Sequence, residues 1–162
     1  MATIKVTNEV ELMLSRLHDR ADGMCKKALY EGAKVLADAM KSEIEGLPTD
    51  DRGIHVDAGS TDVLQGPRAR QKAGLLESMG VAVFRQEKGG WTTHLGFDGR
   101  NDIQTARWTG GQPNSMVARS VNAGTYFMRA NPFIDRTRSQ YAKAAQAAME
   151  ETIKSGVAEE NN

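Results

Sequence analysis

The chain has 162 residues, the size of one ordinary domain, and at this length about 70% of the unfolded surface can be buried. Its 21 Lys and Arg balance its 21 Asp and Glu, which speaks against a general coat for nucleic acid, and 40% hydrophobic residues are too many for a disordered acidic tail. A single cysteine, Cys25, excludes an internal disulfide framework and any cysteine-based metal cluster. Met1 to Val10 does not read as a signal peptide, and no run approaches the roughly 20 apolar residues of a membrane span. These features predict a soluble protein of a reducing compartment.

Glycine divides the chain. Thirteen of the 16 glycines fall between Gly46 and Gly124, and the prolines (Pro48, Pro67, Pro113, Pro132) lie in that middle or just beyond it. Both residues interrupt regular structure, so the pattern predicts helix, broken middle, helix within a single domain, 1–162.

Asn8 is placed to cap a helix over 9–45, with Glu11 at capping-box distance. Val10, Met13, Leu14, Leu17, Ala21, Cys25, Ala28, Leu29, Gly32, Leu36, Ala39, Met40 and Ile44 recur at helical steps as one apolar stripe. Gly46 and Pro48 supply the stop. Unbroken, this helix would run about 55 Å at 1.5 Å per residue, so a break is expected near Asp22-Gly23. Cys25, on the stripe, reads as an inert core thiol.

Residues 49–74 read as a mobile charged loop. Asp50, Asp51, Asp57 and Asp62 face only Arg52 in its first part, while Arg68, Arg70 and Lys72 stand without an acid in its second. Two adjacent stretches of opposite sign and low apolar content suit a segment that orders against a partner by charge complementarity. These seven residues, Asp50, Asp51, Asp57, Asp62, Arg68, Arg70 and Lys72, are the candidate interface.

Leu75 to Met79 reads as one amphipathic helical turn. Val81 and Val83, then Trp91, Thr93, Leu95 and Phe97, alternate at period two around Gln86-Glu87-Lys88-Gly89-Gly90, which predicts a β-hairpin over 80–98. Residues 99–112 are irregular, with Trp108 as the expected anchor to the core. A short helix over 113–122 starts at Pro113, with Met116, Val117, Ser120 and Val121 on one face. The last helix, 132–155, is expected to be capped by Asn131, with Asp135 in its first turn and a stripe of Ile134, Tyr141, Ala145, Ala148, Met149 and Ile153. Gly156 is its expected end, leaving Glu159 to Asn162 as a frayed tail. Met40, Met79, Met116, Met128 and Met149 occupy core-like positions.

No catalytic constellation emerges. His18, His55 and His94 have no ligand spacing, and Gly89-Gly90 and Gly110-Gly111 lack the strand-before, helix-after setting of a dinucleotide site. The residues leave two further readings open: an enzyme or cation site around Asp98, Asp102 and His94, and a nucleic-acid module using Arg68, Arg70 and Lys72 with Arg107-Trp108.

Several patches together resemble a known family, the tail-completion and tail-terminator proteins at the head–tail junction of long-tailed double-stranded DNA bacteriophages. Ala28-Leu29-Tyr30-Glu31-Gly32-Ala33-Lys34-Val35-Leu36 is similar to its long first helix, and Ala73-Gly74-Leu75-Leu76-Glu77-Ser78-Met79 to its approach to the sheet. Gly96-Phe97-Asp98 resembles the end of the second hairpin strand. Ala118 to Thr125 resembles the short helix and Gly-Thr turn, with Asn122 where many relatives carry glutamate. Asn131-Pro132-Phe133-Ile134 is similar to the opening of the last helix. The patches follow family order over about residues 25 to 153.

The resemblance implies an α+β subunit, a small twisted antiparallel sheet with the first and last helices packed on it. It further implies a structural virion protein rather than an enzyme, with no cofactor and no metal. Such a protein assembles in the host cytoplasm into a ring, typically a hexamer, in the tail or neck. Its partners would be its own copies, the tail tube protein and the head-side connector or stopper, with no sequence-specific nucleic acid and no membrane.

Overall fold

The computed structural model describes residues 8–52, 62–88 and 90–160, without the side chains of 8–15, 17 and 160. The protein is α+β, as expected. Two long helices, α1 (Asn8–Glu45) and α4 (Phe133–Glu160), frame a middle of short elements: α2 (Ala69–Ser78), β1 (Met79–Val81), β2 (Arg85–Glu87), β3 (Gly90–Thr92), β4 (Leu95–Phe97) and α3 (Asn114–Ala123).

The 38 residues of α1 run about 57 Å without the break expected at Asp22-Gly23. Two contacts hold the helix there. The Trp91 indole N–H donates to Asp22 at 3.0 Å, with the Lys26 ammonium 3.9 Å from the centre of the same ring. Two residues beyond Asp22, Met24 packs against Gly156 of α4. A glycine inside a helix costs roughly 1 kcal/mol relative to alanine, too little to break a helix fastened on both sides. The same contacts choose the buried face: Asp22, Met24 and Lys26 are half-buried, whereas Ala21 and Cys25 are exposed, so Cys25 is not a core thiol. Further on the expected stripe returns, with Ala28, Gly32, Ala39, Met40 and Ile44 buried. The expected cap at Asn8 and the stripe positions Val10, Met13, Leu14 and Leu17 lie outside the described side chains.

α4 runs antiparallel along α1, from the Arg136–Glu43 ion pair at 2.7 Å to Met24 on Gly156. It passes through Gly156 instead of ending there and continues to Glu160, because glycine is what lets Met24 sit close. Glu159 and Glu160 are therefore helical, while Asn161 and Asn162 lie outside the described residues. Its buried positions are Phe133, Thr137 and Ala145; Tyr141 and Ile153, expected on the stripe, are exposed. Thr137 tolerates burial because its hydroxyl donates to the Phe133 carbonyl at 2.8 Å.

The hairpin is present but divided. β1 pairs antiparallel with β4, and β2 with β3. Residues 82–84 on one side face only 93–94 on the other, a one-residue excess that bulges the ladder. Ala82 and His94 bridge the gap by a 2.7 Å backbone bond. Trp91, Leu95 and Phe97 are half-buried, but Val83 is 84% exposed.

The core collects residues far apart in sequence: Ile44 of α1, Leu75 of α2, Val121 of α3 and Phe133 of α4 are fully buried. Phe97 of β4 packs edge-on to Phe133 with ring centres 6.0 Å apart. Met40 and Met128 are buried with this group, Met79 and Met149 half-buried, and Met116 exposed. The buried face of α3 is Asn114, Val117, Ala118 and Val121, one position round from the expected Met116, Val117, Ser120 and Val121. Asn114 claims the inner face because its amide donates to the Asp98 carbonyl at 3.0 Å.

Candidate functional site

The charged segment is not one loop. Its basic half begins α2 at Ala69, so Arg70 and Lys72 are helical; Asp57 and His55 lie outside the described residues. The acidic and basic halves supply the helix ends with partners. The Asp51 carboxylate accepts the Ala69 N–H at 3.0 Å, an anion at the positive start of α2. The Lys72 ammonium donates to the Glu45 and Leu47 carbonyls at 2.7 and 2.8 Å, a cation at the negative end of α1.

Arg52 forks between Asp50 and Asp62 at 2.7 and 2.9 Å, joining the chain on either side of residues 53–61. Asp50 also accepts the Gln65 N–H at 3.0 Å. The Arg52 guanidinium, helped by that N–H, holds the Asp50 carboxyl well below the usual carboxylate range. Arg70 pairs with Asp102. Arg68 donates its backbone N–H to Gln71 at 2.9 Å and keeps its side chain beside a cleft. Most of the charges in this segment are thus engaged within the chain, leaving Arg68 without a carboxylate partner among the described residues.

Of the residues of the enzyme reading, Asp98 and Asp102 line one cleft, and His94 is not brought to them. His94 precedes β4 and Asp98 follows it, about 13 Å apart at 3.3 Å per extended residue. Asp102 is paired with Arg70, and Asp98 accepts the Gly99 N–H. No group of three or more His, Cys, Asp or Glu among the described residues could hold a metal ion. No described helix is long and apolar enough to cross a membrane.

Two clefts flank α2. The wider, about 690 Å³, has the exposed Arg70–Asp102 pair at its rim and the buried Asn101 and Asn114 in its lining. The Asn101 amide nitrogen and the Asn114 amide oxygen have no hydrogen-bond partner among the described residues.

The second cleft is about 250 Å³ and is lined by apolar side chains of α3 and of the 125–128 turn, by Trp108 and by Arg68, with no acidic residue. Trp108 is half-buried outside the core, so it is not the expected anchor. The guanidinium carbons of Arg100 and Arg107 lie 5.4 and 5.3 Å from its ring centre. The nucleic-acid reading of the sequence joins Arg68 to Arg107-Trp108; the structure adds Arg100 beside the ring and turns Arg70 and Lys72 to other partners.

Asn122 has a role that helical periodicity did not show. Its amide oxygen accepts the Ile134 N–H at 2.9 Å and its amide nitrogen donates to Asp135 at 2.8 Å, so the start of α4 is capped from α3. Asn131, the expected cap, instead donates to the Gln65 and Arg129 carbonyls.

No protein-family model, curated protein or solved structure matches this chain.

Proposed function

We propose that the chain is a structural protein of the tail or neck of a long-tailed bacteriophage, forming a ring that terminates or completes the tail and joins it to the head. One observation carries the reading. Four of the five patches that resemble the tail-completion and tail-terminator family put a residue in or against the same core: Leu75 from 73–79, Phe97 from 96–98, Val121 from 118–125 and Phe133 from 131–134. Patterns that are weak one by one are thereby tied to a single tertiary unit.

The surface fits an assembling subunit. The two-stranded hairpin leaves its outer edges unpaired among the described residues, and Val83 and Tyr126 stand 84% and 83% exposed. Unpaired edges and exposed apolar side chains are liabilities for a solitary protein and docking elements for an assembled one. The proposed role is architectural, within the virion and assembled in the host cytoplasm. It needs no cofactor, and its partners are further copies, the tail tube and the head-side connector or stopper.

Electron microscopy of particles made without this chain tests the role. Headless tails of abnormal length are expected of a terminator, and normal-length tails that fail to join heads of a completion protein. Normal particles would refute both.

A further inference from the structure

We infer that the acid-free cleft beside Trp108 receives the C-terminal end of α4 from a neighbouring copy of this chain. The inference rests on the assembly reading above and names the contact that would close the ring.

Charge is the first argument. Arg52, Arg70 and Arg136 all pair with carboxylates of their own chain. Arg68, which lines the cleft with Trp108, and Arg100 and Arg107, which lie beside the Trp108 ring, have no such partner among the described residues; Arg100 also lines the wider cleft. The Arg68 guanidinium in the cleft, with Arg107 beside its Trp108 wall and an apolar floor of Val117, Val121, Phe127 and Met128, suits an anionic group attached to an apolar side chain. At about 250 Å³ the cleft is smaller than the roughly 300–1,000 Å³ of small-molecule pockets, a size for one or two side chains.

The far end of α4 carries that chemistry. Ile153 and Val157, one turn apart, are 42% and 47% exposed. Glu150, Glu151, Glu159 and Glu160 outnumber Lys154 in the sequence of this last stretch, with Lys27 of α1 lining the same groove as Glu151 and Glu159, and the helix ends there with its negative pole.

Distance decides which copy supplies it. α4 starts at Phe133, which shares the core with Val121 and Met128 of the cleft floor. Its 28 residues then carry the acidic end about 40 Å away at 1.5 Å per residue. A subunit therefore cannot fill its own cleft. Two complementary patches at separate places on one chain allow a heterologous contact, the kind that closes rings when the rotation is right.

The test uses the full chain carrying Trp91→Phe, which leaves Trp108 as its one tryptophan, titrated with a synthetic peptide of residues 150–162. A saturable change in Trp108 emission that weakens with added salt is expected. Arg68→Glu with Arg107→Glu should weaken binding at least tenfold. A peptide bearing Glu159→Lys and Glu160→Lys should lose the unreversed chain and regain the reversed one. Absence of saturable binding, or binding indifferent to these reversals, overturns the contact. So does a Trp108 response to oligothymidylate at concentrations where the peptide is silent, which would assign the cleft to nucleic acid. Rings of the full chain that form despite the reversals also overturn this contact but leave the assembly reading standing. A chain that stays monomeric beside purified tail tubes removes both.

Discussion

The Met149 side chain fills the space where a side chain on Gly32 would stand: a methyl group added at Gly32 would meet it at 2.7 Å. This is the closest described approach of α4 to α1 through a glycine, and Met24 against Gly156 repeats it more loosely toward the other end at 3.2 Å. The small positions expected on the buried stripe thus have a specific use, admitting a methionine from the opposite helix.

Gly32→Leu should overpack this contact and cost about 1–3 kcal/mol. Gly23→Ala meets nothing within 4 Å and should add up to about 1 kcal/mol through helix propensity. Urea denaturation of the two variants checks the contrast. A destabilised Gly23→Ala would mean that α1 needs its glycine as a hinge after all.

Asn122→Ala should cost about 1 kcal/mol, because it removes the cap that α3 lends to α4. Amide hydrogen exchange gives the local readout, with Ile134 and Asp135 losing protection before the α4 interior. Asn131→Ala should leave those two amides protected, since the Asn131 side chain points its bonds elsewhere.

Acid should weaken the fold through Asp50. Its carboxyl lies below the ordinary value of 3.8 when folded, so its contribution is present above that value and is lost as pH falls. Asp50→Asn should lower stability at neutral pH and flatten the loss between about pH 4 and pH 2. Denaturant midpoints across that range, for both proteins, give the comparison. Parallel curves would show that the Arg52 fork does not hold Asp50 ionised.

Cys25 should react with a disulfide reagent in the native protein at nearly the rate found in denaturant, because its side chain is exposed. A thiol that reacts only on unfolding would return it to the core and shift the buried face of α1.

The long helices, the hairpin and the α+β class were legible in the sequence because period and punctuation are local properties. Pro113 and Gly124 bracket α3 in the structure much as their chemistry predicts. The hairpin alternation held at Leu95 and Phe97 but failed at Val83, where an unseen bulge shifted the pairing. The charged segment was legible as two patches of opposite sign. Their engagement within the chain was not, because Asp51 with Ala69 and Lys72 with Glu45 are paired across helix ends that meet only on folding.

From the sequence alone came the order of elements and the residues that can carry apolar burial or charge, since spacing and composition need no partner. The tertiary structure decided whether α1 breaks at Gly23, which residue caps α4, whether Cys25 is covered, and which arginines gather around Trp108 without a carboxylate partner among the described residues. Each of those outcomes depends on a group from another element arriving within a few ångströms, where hydrogen bonding and packing outweigh local preference by about 1 kcal/mol or more.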